Sequence, residues 1–128
     1  MYQVVIVDDE VTISEGCANL FRWKDIGFEA HAFSEPDKAL QYINQNQVDV
    51  LMSDIEMPEM NGLELTKEIA KADIKVVIIS SHQNYEYFRK AIQYHAVDYL
   101  LKPIGYEDLV ACFGKIREEL DREYGVEQ

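Results

Sequence analysis

The feature that most constrains this 128-residue chain is a set of short β-branched runs that stay apolar at consecutive positions. Tyr2-Gln3-Val4-Val5-Ile6-Val7 is the first, Val48-Asp49-Val50-Leu51-Met52-Ser53 the second, and Lys75-Val76-Val77-Ile78-Ile79-Ser80 the clearest. A strand that is apolar on both faces is buried on both faces, which places it in a parallel sheet covered by helices. Phe28 to Phe33 and Val97 to Leu101 read as two weaker strands.

Amphipathic stretches lie between these runs. Val11, Cys17, Leu20, Phe21 and, less regularly, Trp23 predict a helix that stops near Asp25-Ile26-Gly27. Ser34 is placed to cap a second helix, with Asp37 in its first turn and Ala39, Leu40 and Ile43 inward. A turn-rich loop from Pro58 through Gly62 precedes a third, carrying Leu63, Leu65 and Ile69. Phe88, Ala91 and Ile92 belong to a fourth. From Tyr106 onward, Leu109, Cys112, Phe113, Ile116 and Leu120 recur at helical spacing, and Asp121 to Gln128 read as a fraying end.

Five β-α units joined by right-handed crossovers give an α/β fold, a doubly wound five-stranded parallel sheet with five helices. No repeat, low-complexity tract or linker interrupts residues 1–128, which read as one domain. In such a sheet the ligand site lies beyond the carboxyl ends of the strands, where strand order reverses.

Composition narrows the function classes. Acidic residues outnumber basic ones 24 to 12, a formal net charge of −12 that repels phosphate backbones. Direct nucleic-acid binding by this domain is therefore not expected. No apolar run approaches the ~18 residues that span a bilayer, and Met1-Tyr2-Gln3 has no basic n-region of a signal peptide. The expectation is a cytoplasmic domain with no membrane partner. Cys17 and Cys112 lie far apart in no metal-ligand spacing and read as reduced, mostly buried thiols.

The chemistry sits just past the strand ends. Asp8, Asp9 and Glu10 follow the first strand, Asp54 the third, Ser80 and Ser81 the fourth, Lys102 and Pro103 the fifth. The fold brings those ends to one edge of the sheet. Clustered carboxylates repel one another and call for a compensating cation. Mg²⁺ suits them, a hard octahedral ion that takes a few oxygens and keeps several waters. Lys102 adds positive charge on a flexible stem, and the Ser80 hydroxyl can donate to an oxyanion. Together these groups describe a carboxylate nucleophile for phosphoryl transfer. Each piece alone has a bland reading as a solvated turn, a helix cap or a loop; their joint placement favours the site.

Val7-Asp8-Asp9-Glu10, Met52-Ser53-Asp54-Ile55-Glu56-Met57-Pro58, Asn61-Gly62, Ile79-Ser80-Ser81 and Tyr99-Leu100-Leu101-Lys102-Pro103 carry a resemblance over essentially the whole length. The chain resembles the receiver domains of bacterial two-component response regulators. The resemblance implies a flavodoxin-like strand order of 2-1-3-4-5 and Asp54 as phosphoacceptor. It implies Mg²⁺ held by Asp8, Asp9, Asp54 and the main-chain carbonyl of Glu56. Ser80 matches the switch hydroxyl, Tyr99 the switch aromatic and Lys102 the lysine that pairs with the phosphoryl oxygen. The Lys102-Pro103 bond is commonly cis in that family.

The implied partner is a sensor histidine kinase, with homodimerisation on activation possible and the surface of the fourth helix, fifth strand and fifth helix as the part that switches. Tyr87, Tyr94, His95 and Tyr99 lie near that surface, where simple packing is the more ordinary role for an aromatic. The chain would not be a turnover enzyme: it would catalyse its own phosphoryl acceptance and slow autodephosphorylation. Glu56 and His82, each two residues beyond a key position, are candidates for tuning that dephosphorylation. Phe21-Arg22-Trp23-Lys24-Asp25-Ile26-Gly27-Phe28 and Tyr85-Glu86-Tyr87-Phe88 are similar to receivers attached to AraC-type DNA-binding domains. That similarity implies transcription control by an output domain beyond Gln128.

Three other readings compete. A haloacid-dehalogenase-type phosphatase wants a second Asp two residues after the nucleophile, where this chain has Glu56, and usually a cap domain. An interaction module without chemistry is normally marked by loss of the acceptor, the acidic pair or the lysine, all present here. A free-standing shuttle is distinguished only by the native reading frame.

Overall fold

The computed structural model describes residues 1–57, 60–69, 73–81 and 84–125, apart from the side chains of Thr12, Ser14, Glu15 and Leu20. The elements run β1 (Tyr2–Val7), α1 (Val11–Leu20), a 3₁₀ turn (Trp23–Ile26), β2 (Phe28–Phe33), α2 (Pro36–Gln45) and β3 (Val50–Asp54). They continue with α3 (Gly62–Glu68), β4 (Lys75–Ser80), α4 (Tyr85–Gln93), β5 (Asp98–Leu101) and α5 (Tyr106–Glu123). All strand pairs are parallel and the order is β2-β1-β3-β4-β5. This is the expected doubly wound sheet.

Strand alternation distributes the core between two layers. Val4 and Ile6 of β1, with Val50, Met52, Val77 and Ile79, face the layer that holds Leu109, Phe113, Ile116 and Leu120 of α5. Val5, Val7 and Leu51 face Ala39 and Ile43 of α2 and Leu65 of α3, while Val76 and Ile78 meet Leu63 and Ala91. Burial on both faces is why the strands read as continuous apolar runs rather than alternating ones.

The chain departs from the sequence expectations at several ends. The first helix was expected to reach Asp25-Ile26-Gly27, but α1 ends at Leu20, Phe21 is extended, and Trp23–Ile26 form a separate 3₁₀ turn. The break lets Trp23 turn inward: its indole N–H donates to the Cys17 carbonyl at 2.9 Å, and its ring meets Phe113 edge-on at 4.7 Å. The turn closes on Gly27 at φ +89°, a left-handed position suited to glycine.

Ser34 does not cap α2. The N-cap is Glu35, without a side-chain bond, and Pro36 starts the helix where its missing N–H costs nothing. The strand expected from Val48 begins at Val50, and that expected from Val97 begins at Asp98. Ile69 is the C-cap of α3 rather than part of it. Asp121 does not fray: α5 continues to Glu123 and the buried Asp121 accepts a hydrogen bond from the Tyr2 hydroxyl at 2.5 Å, while Val126 to Gln128 lie outside the described residues. Cys112 is buried, Cys17 half-buried, and both are free thiols. Among the described residues, no helix is long and apolar enough to cross a membrane.

Candidate functional site

β1 and β3 are neighbours, while β2 lies on the other side of β1 and β4 on the other side of β3. The carboxyl ends of β1 and β3 therefore flank the place where strand order reverses. Asp8 follows β1 directly and Asp54 is the last residue of β3. The register sets Asp54 beside Ile79, one residue before the fully buried Ser80. Ser80 in turn pairs with Leu101, and its carbonyl accepts the Lys102 N–H at 2.7 Å.

Asp8 is fully buried, Asp54 nearly so, and Asp9 exposed. Each presents a carboxylate oxygen, and these oxygens lie within 4.8 Å of one another. The half-buried Lys102 stands between two of them. Its Nζ donates to Asp54 Oδ2 at 3.0 Å and forms an ion pair with Asp8 Oδ2 at 2.6 Å. The 2.6 Å approach makes the ammonium a close partner of the buried Asp8 Oδ2. Asp8 Oδ1 accepts the Glu10 N–H at 3.0 Å, and Asp54 Oδ1 the Glu56 N–H at 3.2 Å.

Burial and charge act in opposite directions here. Desolvation pushes the Asp54 carboxyl above its ordinary range, and the nearby Asp8 charge adds to it; the contacts from Lys102 and the Glu56 N–H only partly offset this. For Lys102, burial works against the ammonium, but Asp8 and Asp54 together outweigh it and its pKa is raised. The lysine is held charged against an anion that solvent does not stabilise.

A single lysine cannot neutralise three carboxylates. The cluster of buried Asp8, nearly buried Asp54 and exposed Asp9, an all-oxygen donor set, fits a hard divalent cation such as Mg²⁺, which prefers carboxylates and retained water.

The backbone around Asp54 is fixed closely. The Ser53 hydroxyl donates to the Asp54 carbonyl at 3.0 Å, and the Ile55 N–H to the Ile79 carbonyl at 2.9 Å. Asn61 caps α3 by accepting the Glu64 N–H at 2.8 Å. Next to it, a Cβ on Gly62 would stand 2.6 Å from the Asp54 carbonyl oxygen, so only glycine lets α3 start this close to β3. The pair Asn61-Gly62 thus has a structural reason in this chain.

Other expected site residues are placed as follows. Glu56 is exposed in the loop after β3. Tyr99 is half-buried in β5, its ring edge-on to Phe88 at 5.7 Å. The Lys102-Pro103 peptide is cis. His82 and Pro58 lie outside the described residues. Tyr87 takes the ordinary packing role expected of an aromatic near that surface: its ring lies against the cluster of Ile55, Leu63 and Ala91.

Among known proteins, the family model for the response regulator receiver domain matches residues 4–113. The chain belongs to this family. The receiver is 38% identical over 117 residues to the transcriptional regulatory protein HptR of Staphylococcus aureus, covering 91% of this chain and 46% of the relative. It thus spans about half the length of the curated relatives it matches, also at 38% identity a response regulatory protein of Staphylococcus epidermidis. Its fold superposes on the receiver domain of AraT from Geobacillus stearothermophilus with a TM-score of 0.81 at 32% identity, covering 96% of this chain and 98% of that one. A LuxR-family DNA-binding response regulator from Staphylococcus aureus aligns with a TM-score of 0.79 at 32% identity, over 91% and 98% of the two chains.

Proposed function

We propose that this receiver accepts a phosphoryl group on Asp54 from a sensor histidine kinase, in the cytoplasm and with Mg²⁺ bound, and so switches an output. The observation that carries the reading is Asp54 itself: a nearly buried carboxylate at the strand-order reversal, within reach of Asp8, Asp9 and the Lys102 ammonium.

An oxygen of Asp54 attacks phosphorus, the bond from phosphorus to the donor breaks, and an acyl phosphate remains. Desolvation leaves the Asp54 anion less stabilised than in water, which raises its nucleophilicity. Lys102 meets the charge that develops on the phosphoryl oxygens, being held there by Asp8. Asp8, Asp9, Asp54 and the Glu56 carbonyl would hold the Mg²⁺, which supplies charge neutralisation on the phosphoryl oxygens when bound. Turnover of external substrate is not part of this reading; slow self-hydrolysis is, with Glu56 and His82 as candidates for tuning it.

The new charge of roughly −1.5 to −2 attracts both the Ser80 hydroxyl and Lys102. Ser80 ends β4 beside Leu101 of β5, so its movement reaches Tyr99 through adjoining strands. Phe88, Ile92 and Leu101 are exposed on α4 and β5, leaving an apolar surface for a second copy or an output domain to read. The names of HptR and of the LuxR-family neighbour support transcription control as the output, exerted by a domain outside this chain. The Phe21-to-Phe28 and Tyr85-to-Phe88 segments point to the AraC type within that class.

Amide NMR spectra with Mg²⁺ and acetyl phosphate test the switch. Shifts in α4, β5 and α5 are expected in the parent, and strongly reduced ones in Lys102→Ala although some phosphorylation persists. A full conformational response in Lys102→Ala would remove Lys102 from the switch.

A further inference from the structure

Glu10 ends the acidic run after β1 and lies outside the cluster of Asp8, Asp9 and Asp54. Its backbone is held on both sides: the N–H donates to Asp8 Oδ1 at 3.0 Å, and the carbonyl accepts the Ile13 N–H at 2.9 Å. Glu10 is the N-cap of α1, yet its side chain makes no capping bond and stands exposed. With Ser81, Lys102 and Pro103 it lines one end of the cleft between α1 and α5. That end leads to Asp54, because the Lys102 ammonium donates to Asp54 Oδ2 at 3.0 Å. Asp9 and Glu56 line a second cleft, beside Asn61 of the α3 cap and Tyr87 of α4. Acidic side chains therefore border Asp54 on both approaches. Lys102 faces them, but Asp8 and Asp54 already share its charge. With a divalent cation bound, Asp8, Asp9, Glu10, Asp54 and Glu56 would still outweigh the positive charge. A field of this sign slows the approach of an anion, and slows it more the higher the anion's charge.

We propose that Glu10 is a specificity-determining residue for the phosphodonor: its charge at the Lys102 end of the cleft selects against small dianionic donors and favours donors of lower negative charge. This deepens the phosphoacceptor reading and rests on it. Two small donors separate the charge from the chemistry. At neutral pH acetyl phosphate is a dianion, whereas phosphoramidate, protonated on nitrogen, is a monoanion. With the first, an Asp54 oxygen bonds to phosphorus, the bond from phosphorus to the acetyl oxygen breaks, and acetate leaves with the electron pair. With the second, the bond from phosphorus to nitrogen breaks and neutral ammonia leaves. The acyl phosphate is the same in both cases, and Glu10 acts on the approach of the donor through its field.

The test measures second-order rates of adduct formation, by intact mass, for the parent, Glu10→Gln and Glu10→Asp. One pH is used throughout, with Mg²⁺ at a concentration above which the rates no longer rise. At low ionic strength Glu10→Gln is expected to react with acetyl phosphate about two- to fivefold faster than the parent. With phosphoramidate its gain should be smaller, roughly the square root of that factor, so the ratio of the two donor rates rises. In ~0.5 M salt, where the screening length falls to roughly 4 Å, both gains should largely vanish. Glu10→Asp keeps the charge and should keep the parent's donor ratio. An equal gain with both donors, or a gain that persists in ~0.5 M salt, would mean that Glu10 acts through the seating of α1 and would overturn the proposal. Unchanged rates in Glu10→Gln would overturn it as well. Adducts with an unaltered donor ratio thus strike at this inference alone, whereas absence of an adduct from either donor on every variant would overturn the phosphoacceptor reading and this inference with it.

Discussion

At the scale of single residues, the site is held in tension by burial. Asp54 is an anion that its surroundings desolvate more than they compensate, and its folded pKa lies above its ordinary value. A raised folded pKa contributes stability below the unfolded value of about 3.9 and loses it as pH rises through the folded one. At neutral pH without a divalent cation, ionised Asp54 therefore costs stability. Asp54→Asn is expected to melt at a higher temperature than the parent at pH 7 in chelator, measured by calorimetry. An unchanged or lower melting temperature would show that Lys102 already compensates the charge in full. Lys102, Asp8 and Ser80 were legible in the sequence because each lies at the carboxyl end of a recognisable strand. The bond from the Glu56 N–H to Asp54 Oδ1 was not, since it depends on how the loop after β3 turns back, which no periodicity encodes.

At the scale of elements, apolar runs located β1, β3 and β4, because strands covered on both faces carry an unbroken signal, while the edge strands β2 and β5 read more weakly. Their ends were less legible. Val48 and Asp49 are buried like strand residues, yet Asp49 turns its carboxylate to the Gln3 N–H at 2.7 Å and pairing begins at Val50. The first helix misled for a similar reason: Trp23 belongs to the core but reaches it through a 3₁₀ turn, so its burial mimicked helical spacing. The third helix followed from turn chemistry, though its Asn61 cap was not read, whereas the Ser34 cap failed because Pro36 already sets the first helical position of α2. What ties α5 to the sheet is Phe113, fully buried and edge-on to both Trp23 at 4.7 Å and Phe28 at 5.2 Å. Phe113→Ala is expected to cost about 3–5 kcal/mol in urea unfolding with an unchanged slope. A loss below about 1 kcal/mol would show that the aromatic cluster collapses into the space.

At the scale of the whole molecule, chemistry and anchorage occupy opposite ends of the sheet. The carboxyl ends of the strands carry the acidic site; the amino ends carry a network that ties β1, β4 and α5 together. Tyr2 donates to Asp121, and Lys75 pairs with Glu123 at 2.6 Å and Glu119 at 3.6 Å. The bond to Asp121 foremost, with burial and nearby negative charge, pushes the Tyr2 hydroxyl up to about 12. Its folded pKa thus exceeds an unfolded value of about 10, so its contribution is complete below pH ~10 and is lost as pH rises toward 12. Denaturation across that window should show stability falling with pH in the parent and falling less in Tyr2→Phe; parallel curves would remove Tyr2 from the alkaline transition. The central claim concerns the other end of the sheet, and intact mass after incubation with acetyl phosphate reaches it most directly. With Mg²⁺ the parent should gain one phosphoryl group, and neither the parent in chelator nor Asp54→Ala should gain any. An adduct that persists in Asp54→Ala or in chelator would contradict the account.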